Sequence, residues 1–170
     1  MVVESDGPPQ PRYFFQDTDR RLGFRIDPKM TVSGSAAAAS FQFTDLRSAS
    51  MRLRKSAGPL DVPIDEKGIE KYQTVARTFV PTDATEVQLV DQVPGAVAIN
   101  GWESVQFAYT YKLFGATYRR AITFLNLPEH EQLVFEVTAG SDDFKKAYAP
   151  AYRVINSIYV LPLVFEAGPT

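Results

Sequence analysis

The chain of 170 residues contains no cysteine and a single histidine, His130. Without thiols it has no disulfide, no cysteine nucleophile, no iron–sulfur cluster and no thiolate zinc site. One histidine excludes a multi-histidine metal centre within one chain, and no loop has the regular Asp/Asn spacing of a calcium site. We therefore expect no metal, and no cofactor of any other kind.

Long apolar runs and a strong charge of either sign are also missing. The formal net charge is -2, which gives no general attraction to nucleic acid or to anionic lipid. No apolar run approaches the roughly 18–20 residues that a membrane-spanning helix needs. With 45% hydrophobic and 22% charged residues, the composition is typical of one soluble globular domain. No feature points to a compartment.

A short segment at each end of the chain is predicted to lie outside the folded domain. We expect residues 1–11, which are polar and proline-rich, to form a frayed tail. They also lack the pattern of a secretory signal peptide. Residues 12–162 are predicted to form a single domain. Residues 163–170 are predicted to be a C-terminal tail or a last short strand.

Alternating apolar and polar residues predict short strands in the first third of the chain. Residues 12–16 and 23–27 are the first two candidates. Residues 31–40 are small and polar, which favours a loop, with a short helical turn of the alanine run as the alternative. Residues 41–43 and 51–54 also alternate, as one interrupted strand or two adjacent strands.

Two helices are predicted from spacings of three and four between apolar residues. The first covers residues 66–79, with Asp65 as its cap. The second begins after Ser141, which can cap it, and Pro150 predicts a kink or two shorter helices. Its apolar stripe is expected to be buried against a sheet; it contains Phe144, Tyr148, Tyr152, Ile155 and Tyr159.

The region from residue 87 to residue 139 has the strongest strand pattern, and we predict a meander of about four strands. Asn100-Gly101 predicts a type I′ turn and Gly115-Ala116 a type II′ turn. The predicted fold class is therefore α+β, a curved antiparallel sheet whose apolar surface is covered by the helices.

This order of elements resembles a known superfamily. The resemblance spans roughly residues 12–162 and rests on Phe14, Gly23–Pro28, Asn100-Gly101, Tyr118–Phe124 and Arg153–Ile158. Together they are similar to the PsbP-like α/β/α sandwich. That superfamily contains the photosystem II extrinsic protein PsbP, a Ran-binding nuclear-transport factor and uncharacterised bacterial proteins. The resemblance implies a non-enzymatic accessory domain that binds a protein partner, but it supplies no residue roles.

Candidate contact residues lie on the loop ends of the meander. Trp102 follows the Asn-Gly turn and would be a binding hot spot if exposed; a fold back onto the core is the alternative. Glu129-His130-Glu131 has the ordinary interpretation of a solvated turn, because these residues do not converge on one point. We place the partner-binding surface on Trp102, Glu103, Glu129, His130 and Glu131. The sheet face away from the helices is expected to be open and polar, with Gln106, Thr110, Lys112, Arg119 and Thr123.

Two further interpretations remain open. Tyr109, Tyr111, Tyr118, Tyr148 and Tyr152 could line a cavity for a small apolar ligand between the sheet and the C-terminal helix, although tyrosines more often fill a core with hydroxyls at its rim. Arg52 and Arg54 share one strand face, which is either a solvated surface or a site for an anion or acidic partner. No serine has a plausible histidine partner for a catalytic triad, and no glycine loop is of the phosphate-binding kind. We therefore expect no enzyme activity, with an enzyme whose site has no recognisable motif as a third interpretation.

Overall fold

The computed structural model describes residues 13–17, 22–35, 38–55, 62–128 and 131–160. The predicted tails, residues 1–11 and 163–170, lie outside them. The described strands are β1 (Tyr13–Asp17), β2 (Leu22–Ile26), β3 (Met30–Ser35), β4 (Ala38–Phe43), β5 (Ser50–Lys55), β6 (Thr85–Pro94), β7 (Ser104–Leu113), β8 (Ala116–Leu127), β9 (Glu131–Gly140) and β10 (Tyr159–Val160). The described helices are α1 (Gly68–Arg77) and α2 (Phe144–Ile155).

Seven strands form one antiparallel sheet in the order β3-β4-β5-β9-β8-β7-β6, and β1, β2 and β10 form a second, smaller sheet. The predicted meander of four strands is confirmed as β6 to β9. The helices pack on opposite faces of the large sheet. Two buried clusters hold them there. Tyr72 and Ala76 of α1 pack with Phe107 and Phe124 in one cluster. Helix α2 packs with Leu125 in the other cluster, on the opposite face. The α+β sandwich is confirmed.

The predicted loop at residues 31–40 is wrong, because this region contains strands β3 and β4. Val32 pairs with Phe41 and Gly34 with Ala39, so their positions face the core on the α2 side. Serines and alanines hide this alternation, since small residues on both faces give almost no contrast in hydrophobicity. The segments around Phe41 and Met51 are two adjacent strands, β4 and β5.

The Asp65 carboxylate accepts N–H groups at the start of α1 as predicted, although Lys67 occupies the N-cap position and the helix begins at Gly68. The Oδ1 atom of Asp65 accepts hydrogen bonds from the backbone N–H groups of Lys67, at 3.0 Å, and Gly68, at 2.7 Å. The Ser141 cap is wrong: Asp143 occupies the N-cap position, and the buried Ser141 hydroxyl has no hydrogen-bond partner among the described residues. Pro150 does not divide α2, which is one helix; its buried ring adds packing that offsets the missing N–H.

The structure confirms one of the two predicted turns of the meander and contradicts the other. Asn100 and Gly101 have positive φ, 49° and 72°, and Trp102 N–H donates to Ile99 C=O at 2.8 Å, so the type I′ turn is confirmed. The type II′ turn at Gly115-Ala116 is wrong. Leu113 pairs with Ala116, so Phe114 and Gly115 are the central residues, with φ of 48° and 78°. Strand pairing therefore sets the turn one residue earlier.

Candidate functional site

The loop residues predicted to contact a partner lie near one end of the sheet. Glu103 is exposed, and its C=O accepts a hydrogen bond from Asn126 N–H at 2.9 Å. Glu131 pairs with Leu127 at the same end of β8. Glu129 and His130 lie outside the described residues. The structure thus brings Glu103 and Glu131 to a common end of the sheet.

Two of these residues already have partners within the chain. Trp102 is half-buried and packs against the core cluster on the α2 side, so it is not a fully exposed anchor. Glu131 forms an ion pair with Lys55 at 2.6 Å. A contact through this surface would have to compete with both interactions. Partner binding at this loop surface remains a prediction. Its aromatic residue, Trp102, is partly buried against the core.

The five tyrosines of the predicted ligand cavity are divided by the sheet. Tyr109, Tyr111 and Tyr118 lie on the α1 side, where the rings of Tyr111 and Tyr118 stack at 5.9 Å. Tyr148 and Tyr152 are on α2, and Tyr148 packs against the opposite core cluster. The structure therefore does not bring the five side chains together around one cavity.

The predicted burial of the α2 stripe is correct only in part. Phe144 and Ile155 are buried, Tyr148 is half-buried and Tyr152 is 37% exposed. Tyr159 lies beyond the helix, in β10. Helix α2 ends at Ile155, whereas the predicted stripe continues to Tyr159. The helical spacing therefore cannot place the whole stripe on one buried face.

The sheet face that was expected to be open is covered by α2 in its central part. Gln106 and Thr123 are buried, with 8% and 1% of their surface exposed. Gln106 Nε2 donates to the Thr123 hydroxyl at 2.9 Å and to the Tyr148 hydroxyl at 2.6 Å. Because a helix packs on each face of the sheet, a polar residue in a strand does not show that its face is exposed to solvent. A buried polar residue needs partners, and these three side chains supply them for one another.

Burial raises the pKa of four tyrosine hydroxyls above the ordinary value of 10.0, and these are Tyr72, Tyr109, Tyr111 and Tyr148. A raised pKa in the folded state favours the neutral phenol. The resulting stability is fully present below the pKa of the unfolded chain and is lost as pH rises through the folded values.

We therefore expect the free energy of unfolding to fall above about pH 10. Urea unfolding between about pH 8 and pH 11 measures this. Tyr148→Phe keeps the ring and removes one titrating hydroxyl, so its stability should depend less steeply on pH. An equal slope in the variant would show that Tyr148 does not contribute.

The β7–β8 turn carries the most exposed of the large hydrophobic side chains among the described residues. Phe114 is 94% exposed. The last pair of this hairpin is Leu113 with Ala116, whereas the neighbouring strand β9 ends where Gly140 pairs with Tyr118. Phe114 thus stands about 10 Å beyond the end of β9, at roughly 3.3 Å per residue. We call residues 113–116 the hairpin tip.

Phe114 also has an unfavourable backbone conformation. Its φ of 48° lies in the left-handed region, where a bulky residue is uncommon because Cβ crowds the following carbonyl. Asn100, in the other type I′ turn, has nearly the same φ and is a residue that the conformation favours. Sequence reasoning missed Phe114, although shifting the turn to Phe114-Gly115 preserves the alternation of both strands.

Within residues 13–17, 22–35, 38–55, 62–128 and 131–160, no group of three or more His, Cys, Asp or Glu side chains could hold a metal ion. No helix in the same ranges is long and apolar enough to cross a membrane. The hairpin tip is the candidate site that the described surface marks most clearly, because Phe114 is almost fully exposed there.

Neither protein-family models nor curated protein sequences match this chain. Solved structures do. Cyanobacterial PsbP (CyanoP) from Synechocystis sp. PCC 6803 superposes with a TM-score of 0.62 at 11% identity, over 93% of this chain and 98% of that chain. The fold is PsbP-like.

Two further structures with this PsbP-like fold match over most of their length. The Ran-binding protein Mog1p of Saccharomyces cerevisiae has a TM-score of 0.59 at 8% identity, covering 90% of this chain and 97% of that chain. LpqN, involved in cell envelope biogenesis of Mycobacterium tuberculosis, has a TM-score of 0.57 at 14% identity, with 83% of both chains covered. At such low identities, the similarity to these structures concerns the fold alone. The α/β/α arrangement expected from the sequence is confirmed.

Proposed function

We propose that this chain is a non-catalytic accessory domain that binds a protein partner, and that the hairpin tip is the centre of the contact. The observation that carries the proposal is Phe114, which is almost fully exposed in a backbone conformation that disfavours it. Aromatic side chains are enriched at the centres of protein interfaces, where a ring fills a pocket on the partner.

The fold adds support by analogy. Mog1p is a Ran-binding protein with the same fold. Its partner is not carried over to this chain, because a fold alone does not determine function. What the analogy supports is the coarser class, a domain of this fold that binds another protein. The protruding tip is a local feature of this chain that fits that class.

Replacing Phe114 by asparagine should stabilise the protein while weakening the partner contact. The variant creates Asn-Gly, the preferred type I′ dipeptide, and relieves a left-handed bulky residue, so we expect a gain of about 1 kcal/mol in the free energy of unfolding. Equilibrium unfolding in urea measures it. The reciprocal variant Asn100→Phe is the matched control and should lose a similar amount. A Phe114→Asn variant that is less stable would show that Phe114 packs on its own domain.

The binding role is tested by placing a photo-crosslinking phenylalanine analogue at position 114 or, as control, at the exposed position 145 of α2, in cells of the source organism. A protein partner should form a defined adduct from position 114 only. An excess of the unmodified domain should compete for that adduct, whereas the Phe114→Asn domain should compete much less. The proposal is wrong if both positions give the same adducts, or if Phe114→Asn competes as well as the unmodified domain.

A further inference from the structure

The sheet face on the α1 side is covered over only part of its width. Registered pairs run across the sheet in rows, and in each row the side chains lie on one face. One row joins Ser33, Ser40, Arg52, Glu136 and Ile122 in strand order. Ile122 belongs to the core under α1, whereas Ser33 and Ser40 are not buried. Thus the face changes from apolar to polar as it passes from β8 to β3.

We call the uncovered part the open face. It consists of the nine residues of β3, β4 and β5 that point to the α1 side: Thr31, Ser33, Ser35, Ala38, Ser40, Gln42, Ser50, Arg52 and Arg54. None of them is buried. Five bear hydroxyl groups, two are arginines, and none is acidic or a large apolar residue. Such a surface offers hydrogen-bond donors and positive charge, with little apolar area for a dry contact.

Some of the charged side chains at the border of the open face have ion-pair partners and one does not. Glu136 is buried between Arg54, whose Nη2 lies 3.2 Å from Oε2, and Arg120, whose Nη1 lies 3.5 Å from Oε1. Arg120 is further held by the Thr138 hydroxyl and the Phe79 carbonyl. The side chain of Arg52 is exposed, and no hydrogen bond or ion pair joins that side chain to another described residue. Three arginines therefore face one carboxylate.

We propose that the open face binds an acidic polypeptide segment, with Arg52 as its principal charge contact. Charge complementarity is the main argument, because three arginines around one carboxylate leave an excess of positive charge. In a chain of net charge -2, that local excess selects for carboxylates. Three strands at about 4.8 Å spacing give a floor roughly 10–14 Å wide, which suits one extended chain. The serine and threonine hydroxyls can bond to backbone amides without demanding a particular side chain.

The same observations argue against a nucleic acid. Polyanion binding depends on many phosphate contacts and a broad positive field, whereas this chain is acidic overall. The open face also has no aromatic ring on which a base could stack. The contact we propose is thus with a short run of carboxylates in a protein, and it is independent of the hairpin tip.

The probe is a fluorescein-labelled ten-residue peptide rich in glutamate, with a glutamine-rich peptide and a single-stranded RNA decamer as comparisons. Fluorescence anisotropy should show binding of the glutamate peptide only, weakening as salt is raised. In amide NMR spectra the shifts should map to β3, β4 and β5. Arg52 is the residue to change, since removing Arg54 or Arg120 would take one of its two partners from the buried Glu136.

Arg52→Ser should weaken peptide binding by about fivefold or more, and Arg52→Glu should abolish it. Lys145→Ser removes one positive charge from α2, beyond the opposite face, and should change affinity by less than about twofold. The proposal is overturned if Arg52→Ser binds as well as the unmodified chain, if the shifts map elsewhere, or if the glutamine peptide or the RNA binds as tightly.

Discussion

Replacing Ile155 by alanine should lower the free energy of unfolding by about 2–5 kcal/mol. Ile155 is fully buried on the inner side of α2, within the cluster that holds this helix to the sheet. Truncation removes apolar contact area and leaves a cavity, and the surrounding strands cannot collapse to fill it because their pairing fixes them. The slightly better helix propensity of alanine offsets only a few tenths of this loss.

Urea-induced unfolding followed by circular dichroism measures the change as a lower midpoint with an unchanged slope. Lys145→Ala is the matched control on the outer side of the same helix, where Lys145 is exposed. It should stay within about 0.5 kcal/mol of the unmodified chain. Equal midpoints for Ile155→Ala and the unmodified chain would show that α2 does not hold the domain together.

The long elements were predictable because each has a strong local pattern. Strands β7, β8 and β9 alternate over ten or more residues, and the Asp65 cap and the α1 apolar face agree with each other. The hairpin β3–β4 was not predictable, since serine and alanine occupy both of its faces. Its inward side becomes visible only when pairing with β5 places Val32 and Phe41 over the core.

The sites were less predictable than the fold because they depend on how elements meet. No periodicity in one strand reveals which face a later helix will cover, so the buried state of Gln106 and Thr123 was missed. Likewise the identity of a turn depends on the register of two strands, which moved the β7–β8 turn onto Phe114. Arg52 and Arg54 were grouped correctly, since alternate residues of one strand must share a face.

Replacing Glu136 by alanine should also destabilise the protein strongly, by about 2–4 kcal/mol. The side chain of Glu136 is 7% exposed and that of Arg120 is 19% exposed, so the variant would leave a largely buried guanidinium without its counter-charge. Arg54 is 46% exposed and can regain water, and for this reason we place the loss below that for a fully buried pair.

Glu131→Ala is the control within the same strand, because the ion pair of Glu131 with Lys55 is much more exposed. It should cost less than about 1 kcal/mol in the same urea titration. The conservative variant Glu136→Gln keeps a hydrogen-bond acceptor for Arg120 and should be intermediate in stability. It also removes the negative charge that Arg54 and Arg120 share, so the glutamate peptide should bind it more tightly than the unmodified chain. If Glu136→Ala costs no more than Glu131→Ala, Glu136 is not the counter-charge that holds Arg54 and Arg120 in place.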